Sequence, residues 1–331
     1  MSVREFRDEY FNALLNLIWR QWTRLGIAGQ IVSGDSPYVV DPEALLLLSS
    51  SFCRYDQRLY DLVIDWLRVN ETFINVQRLK SLSGKVRQKD TASLGFIVAT
   101  MSKFSSRKWK KLADDLLPVK PCKAVSMFIN PDQKSQDFCR EKDKIAMQYG
   151  YLRTPYLPTN KVTAFPTDIS ASILLQMRGV FGLSARAETI LTLLNKEICK
   201  IQDVADISGF SWKSIQDVLM ELTAGGLVAT DAKAKRGRYY YLKSPEKIRY
   251  LFDVKHFIFP DWRRIFDALG ILWQTVANPR LIDLSKQTFH CEMARVFEEE
   301  IGENLLDAGI NELKFLNPEK VTGLPELLEK L

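Results

Sequence analysis

Histidine is close to absent: the 331 residues include two, His256 and His290. A Ser-His-Asp or Cys-His hydrolase would have to use one of them, and neither sits in a glycine-framed loop that presents a nucleophile. The five cysteines, Cys53, Cys122, Cys139, Cys199 and Cys291, are odd in number, and no two lie within four residues of each other. Structural zinc needs thiolates paired at short spacing so that one loop presents two ligands, which this pattern excludes. His290-Cys291-Glu292 sets three metal-binding side chains in a row, but neighbours on a helix point in different directions. No glycine-rich phosphate loop occurs; the nearest cluster, Ala224-Gly225-Gly226, follows a helix instead of opening one. Long apolar runs are missing too. The longest, Ala44 to Leu48, falls far short of the roughly 20 residues that span a bilayer. The opening Met1-Ser2-Val3-Arg4-Glu5-Phe6 has acidic character where a signal peptide has an apolar core. These absences predict a cytoplasmic protein with no membrane contact, no enzymatic chemistry, no metal and no cofactor.

What is present is an ordinary globular balance, 46% hydrophobic and 26% charged residues. The length exceeds the roughly 250–300 residues at which single cores stop growing, so more than one domain is expected. Lys plus Arg number 46 against 40 for Asp plus Glu, so an anionic partner must be met by local clusters and not by the net +6. Phe6, Tyr10, Leu14, Leu17, Ile18, Trp22 and Leu25 recur at three- and four-residue steps, predicting a helix over 5–26 that Gly26 and Gly29 end. Asp41-Pro42-Glu43 supplies a cap, a first-turn proline and an early carboxylate for a helix reaching Phe52. Two more helices follow, from about Asp56 to Val69 and from Ile74 to Leu82, and the three together are a candidate degenerate helix-turn-helix at 41–84. Asp61 and Asp65 read as a solvated helix face rather than as catalytic carboxylates.

Residues 80–123 are the most basic stretch, eleven cations against Asp90, Asp114 and Asp115. Within it Lys103, Arg107, Lys108, Lys110 and Lys111 surround Phe104 and Trp109 with no acid between them, a composition suited to auxiliary phosphate contacts. The plainer reading is a solvated basic face with Trp109 anchored in the core, and for sequence-specific contact it is the preferred one. Pro118, Pro121, Pro131, Pro155, Pro158 and Pro166 mark a long ordered connection. Phe257, Phe259, Trp262, Ile265, Phe266, Leu269, Leu272 and Trp273 read as core or dimer seam. From Arg295 onward nine acids face four bases, which does not suit a phosphate backbone.

From Ser184 the pattern changes. Ala187, Ile190, Leu191 and Leu194 make one apolar helix face, and Ile201 to Ser211 follows. Counting from Ile201, Ala205 is fifth, Gly209 ninth and Ile215 fifteenth. These are a small residue where two helices cross, a glycine where the turn needs a left-handed backbone, and an apolar residue in the crotch. Ser211 caps the next helix; Ile215, Val218, Leu219 and Leu222 face inward, leaving Trp212, Lys213 and Gln216 outward. Asp231 to Leu242 then predicts a hairpin whose tip carries Lys233, Lys235, Arg236 and Arg238 against Asp231 and whose return strand is Tyr239-Tyr240-Tyr241-Leu242. Such a tip suits a minor groove or a phosphate backbone. In this order the elements of residues 184–243 resemble the winged helix-turn-helix of DNA-binding proteins. The resemblance implies that the second helix of the unit enters the major groove of double-stranded DNA with its first residues on base edges. Carried over by position, Trp212, Lys213 and Gln216 would read bases, and Ser211 or Ser214 would bond phosphate. Such units also serve as protein-binding modules, and here Lys213 shares its helix with Asp217 and Glu221.

Leu17 to Gly26, Asp41-Pro42-Glu43 and Leu174 to Glu188 also look like a group of bacterial winged-helix regulators described as antitoxins of abortive-infection toxin–antitoxin pairs. That resemblance implies operator binding by the winged helix, with other lobes for dimerisation or toxin contact. The expected fold is mainly α: an N-terminal helical domain (1–117), a Pro-rich connection and lead-in helix (118–183), a winged helix-turn-helix with a small β-hairpin wing (184–244) and a C-terminal helical domain (245–331). The expected function is a sequence-specific transcriptional regulator acting as a homodimer, with a protein-interaction module such as an antitoxin as the alternative.

Overall fold

A reciprocal cap starts the first helix. Ser2 Oγ accepts from Glu5 N at 3.2 Å while the Glu5 carboxylate accepts from Ser2 N at 2.6 Å. α1 (Val3–Arg24) follows, two residues ahead of the first residue its periodicity predicts. The computed structural model describes residues 2–29, 36–104, 107–119, 123–136, 141–231, 238–253, 256–281 and 284–331, and these are mainly helical with two small sheets. Asp41 caps α2 (Pro42–Phe52) through Ala44 N, Asp56 caps α3 (Gln57–Asn70) through Leu59 N, and Asn75 caps α4 (Val76–Lys85) through Arg78 N. α5 (Thr91–Phe104) and α6 (Lys110–Leu116) complete the N-terminal helices.

The Pro-rich connection is ordered by short elements where it is described. β1 (Val125–Ser126) pairs in parallel with β2 (Tyr151–Leu152) around α7 (Lys144–Gln148). Beyond β2 the connection is held by α3. Asp65 accepts from Thr159 N at 2.9 Å and from the hydroxyls of Thr159 and Tyr156, and Arg153 pairs with Asp61 at 2.7 Å. The solvated face expected for Asp61 and Asp65 is therefore corrected. Asp65 is buried, and burial lifts the Asp61 carboxyl above its ordinary range. A carboxylate three residues from an apolar anchor is compatible with either face; the connection folding over it decides.

α8 (Ile173–Phe181) and α9 (Arg186–Lys196) lead into β3 (Ile198–Cys199), α10 (Ile201–Ser208), α11 (Trp212–Ala224), β4 (Val228–Asp231), β5 (Tyr239–Leu242) and α12 (Pro245–Leu251). α13 (Trp262–Val276), α14 (Lys286–Val296), a π-helical turn at Phe297–Ile301, α15 (Gly302–Leu306) and α16 (Leu324–Leu328) follow.

Two hydrophobic cores organise these elements. The first joins the N-terminal helices to residues 262–331, so the helical lobes expected at either end of the chain share one interior. Tyr10 Oη donates to Leu269 O at 2.8 Å, Arg20 to Leu328 O at 2.5 Å and Arg24 to Leu331 O at 2.6 Å. Trp262, Ile265, Phe266, Leu269, Leu272 and Trp273, expected as core or dimer seam, are interior residues of this core. The second core is built from residues 173–259 together with Val39, and takes in Phe257 and Phe259.

Charged side chains fill the seam between the cores. Arg78 donates to both carboxylate oxygens of Asp41 (2.7 and 2.5 Å) and to Glu43 at 2.7 Å. Arg178 grips Glu43 at 2.7 and 2.8 Å and Glu188 at 2.7 and 3.0 Å. All five are buried. Removal from water alone would raise the Asp41 pKa, but Arg78 and Arg178 hold it below the usual carboxylate range.

Candidate functional site

The segment that carried the sequence signal folds as helix, strand, helix, turn, helix and hairpin on the second core. Ala187, Ile190, Leu191 and Leu194 of α9 are interior, as are Val204 and Ala205 of α10. Gly209 takes φ +76° and donates its N–H to Ala205 O at 3.1 Å, ending α10 in the left-handed conformation. A second constraint acts on the same glycine. A Cβ there would lie 2.4 Å from Leu82 Cδ2, because α4 presses on the turn. Ser81 Oγ donates to Gly209 O at 2.8 Å, and Arg78 Nε donates to Ser208 O at 2.5 Å. The turn is clamped, and of the residues after it Ser211, Trp212 and Lys213 are exposed.

Ser211 Oγ accepts from Ser214 N at 3.1 Å and shares a 2.8 Å hydrogen bond with Ser214 Oγ, so the cap engages both hydroxyls with each other. Ile215, Val218 and Leu219 anchor α11 inward. Its other face holds Trp212, 48% exposed, and Met220, 57% exposed, with Gln216 between them half-buried. Lys213 is exposed, but its Nζ pairs with Asp217 at 2.7 Å; Arg186 pairs with Glu221 at 2.6 Å. The leading turn thus faces solvent with its charges balanced.

β5 is the central strand of a three-stranded antiparallel sheet, with β4 on one side (Val228↔Leu242 to Asp231↔Tyr239) and β3 on the other (Ile198↔Tyr241, Cys199↔Tyr240). The period of two turns Cys199, Val228, Tyr240 and Leu242 into the core and leaves Ile198 and Tyr241 outside. Lys200 Nζ lies 5.1 Å from the centre of the Tyr239 ring. Arg238 is exposed at the foot of the hairpin; Lys233, Lys235 and Arg236 lie outside the described residues.

The auxiliary basic cluster divides. Lys103, Arg107, Lys110 and Lys111 are exposed. Lys108 turns inward, donating to the carbonyls of Glu71 and, at 3.2 Å, Ile74, and burial lowers its pKa. Its nomination as a phosphate contact is corrected: two carbonyls of the α3–α4 connection hold the ammonium. Trp109 is fully buried and donates Nε1–H to Glu71 at 3.1 Å, the anchored state that the plainer reading expects. Lys80 of α4 pairs with Asp115 of α6 at 2.5 Å, which ties the end of α6 to the helix that clamps the turn.

The sequence reading missed Arg78, its pairing with Asp41 and Glu43, which were legible only as helix-start residues, and the contact of Leu82 with the turn. One signal was available: Arg78 lies four residues before Leu82, on the inward face of a helix read only for its apolar residues. Among the described residues no group of three or more His, Cys, Asp or Glu side chains is arranged to hold a metal, and no helix is long and apolar enough to cross a membrane. Compared with family models, curated proteins and solved structures, the chain matches none of them.

Proposed function

We propose that residues 184–244 form a winged helix-turn-helix that binds double-stranded DNA, and that the protein is a sequence-specific transcriptional regulator acting as a homodimer in the cytoplasm. The observation that carries this reading is the exposed start of α11, Ser211 to Lys213, beside a turn that α4 holds through two hydrogen bonds. A reading helix must present its first residues to base edges while the rest of it stays anchored, and Trp212, Lys213 and Gln216 stand where that contact would form. Arg238 and the hairpin tip would follow the backbone or minor groove, with Lys103, Arg107, Lys110 and Lys111 as outlying phosphate contacts. A dimer doubles a site that one helix reads over only a few base pairs. Selection of bound duplex from a random pool, followed by affinity measurements across salt, tests the proposal. About eight phosphate contacts per dimer give a log–log slope near −7, and a slope near zero overturns it.

A second reading has a specific observation behind it. Trp212 and Met220 lie eight residues apart on one exposed helix face, and the cations beside them are already paired. Apolar side chains on a charge-balanced face suit a protein surface, as in an antitoxin that contacts its toxin through this unit. That reading predicts a stable co-purifying partner whose binding is insensitive to Arg236 and Arg238.

A further inference from the structure

Where α2, the start of α5 and α13 meet, a cleft of about 600 Å³ opens to solvent. Small-molecule sites span about 300–1,000 Å³. One wall is aromatic: Phe52, Tyr55 and Trp273 meet in tilted and edge-on contacts at ring separations of 5.2, 5.4 and 5.6 Å. The rim holds two donors with capacity to spare. Tyr55 Oη accepts from Gln133 Nε2 at 2.9 Å and from Trp273 Nε1 at 3.1 Å. Both lone pairs of that oxygen are engaged, and its own hydrogen has no acceptor among the described residues. Lys89 Nζ donates to the carbonyl of Val86 at 2.8 Å and forms no ion pair among the described residues. Arg54, the other cation of the cleft, is already committed to Asp90 at 3.0 Å and to the carbonyls of Met127 and Ser126.

An aromatic wall recognises a flat apolar body, while a free hydroxyl hydrogen and an ammonium with unused hydrogens recognise an anionic acceptor. We infer that this cleft binds an aromatic monocarboxylate, its ring against Phe52, Tyr55 and Trp273 and its carboxylate on Tyr55 Oη and Lys89 Nζ. A second anionic group would find no cation, because Arg54 and Asp90 cancel each other. No residue of the second core lines the cleft, so the inference stands apart from the DNA reading.

The full chain is titrated calorimetrically with benzoate, phenylacetate and cinnamate, and with cinnamamide as the uncharged counterpart. At least one acid binds, one molecule per chain, with Kd below about 1 mM. Cinnamamide binds about tenfold more weakly than cinnamate, and Lys89→Gln loses about tenfold for the acid at an unchanged melting temperature. Tyr55→Phe loses about threefold for the acid. Absence of binding by all three acids, equal binding of cinnamate and its amide, or unaltered affinity in Lys89→Gln overturns the assignment. Lys89 stands on the half-exposed rim, so that variant remains informative even if Tyr55→Phe unfolds.

Discussion

Arg78 Nε donates to the carbonyl oxygen of Ser208 at 2.5 Å, across 130 positions of sequence. Ser208 is the last residue of α10, and the carbonyls of a final helical turn have no partner within the helix. A guanidinium there bonds the orphan oxygen and opposes the negative end of the helix dipole. Because the same side chain binds Asp41 and Glu43, the attitude of the turn before α11 is set by the first core.

Removing that side chain leaves two carboxylates buried without it. Arg78→Met is expected to cost about 3–5 kcal/mol, read from urea unfolding. A loss below about 1 kcal/mol would show that the seam tolerates the vacancy and that the pairing adds little.

Gly209 is constrained by its backbone angle and by Leu82. Gly209→Ala is expected to cost about 1–2 kcal/mol from the left-handed backbone alone, and more from the clash. Leu82→Ala costs about 2–5 kcal/mol from the cavity. Combined, the two lose less than their sum, because shortening Leu82 relieves the clash; strict additivity contradicts the contact.

On duplex DNA, Arg236→Ala with Arg238→Ala removes up to four contacts per dimer and should reduce the salt slope by about 3 to 4 and weaken all sequences alike. Lys110→Ala with Lys111→Ala reduces it further if the auxiliary face is engaged, whereas Lys108→Ala leaves it unchanged, its ammonium being turned inward. A Lys108 effect equal to that of its neighbours contradicts the geometry.

Trp212→Ala separates the two functional readings. Loss of a central aromatic anchor costs about 2 kcal/mol or more at a protein interface, and Met220→Ala should follow it in the same direction. For DNA, Met220 lies two helical turns beyond the leading residue, so Met220→Ala leaves duplex affinity unaltered while Trp212→Ala changes sequence preference.

The depressed Asp41 carboxyl makes stability depend on acid. A group whose folded pKa lies below its unfolded value of about 3.9 contributes stability above that pH and loses it as pH falls through the folded value. The stability gap between wild type and Asp41→Asn is therefore widest above about pH 4 and closes on further acidification. A gap that stays constant from about pH 5 to pH 2 shows that the ion pairing does not depress the group.

Local chemistry was the legible part. The caps at Ser211 and Asp41, the left-handed Gly209 and the alternation through Tyr239 to Leu242 are each decided within a few residues, so they could be read directly. Arg78, Lys108 and Asp65 were not legible, since their long-range partners lie 34 or more positions away and a polar side chain leaves no periodic trace. The same reason hid the union of α1 with α13 and α16: an apolar stripe shows that a helix has an inner face, not which distant helix meets it.

The sealing of α1 against Leu328 and Leu331 has a consequence for biosynthesis. Residues 173–259 carry nearly all of one interior in a single continuous run, so that unit can close while translation is still under way. The other interior is complete only once residues through Leu331 have been made, so Phe6, whose ring meets Phe289 at 5.6 Å, stays without that cover until late in synthesis.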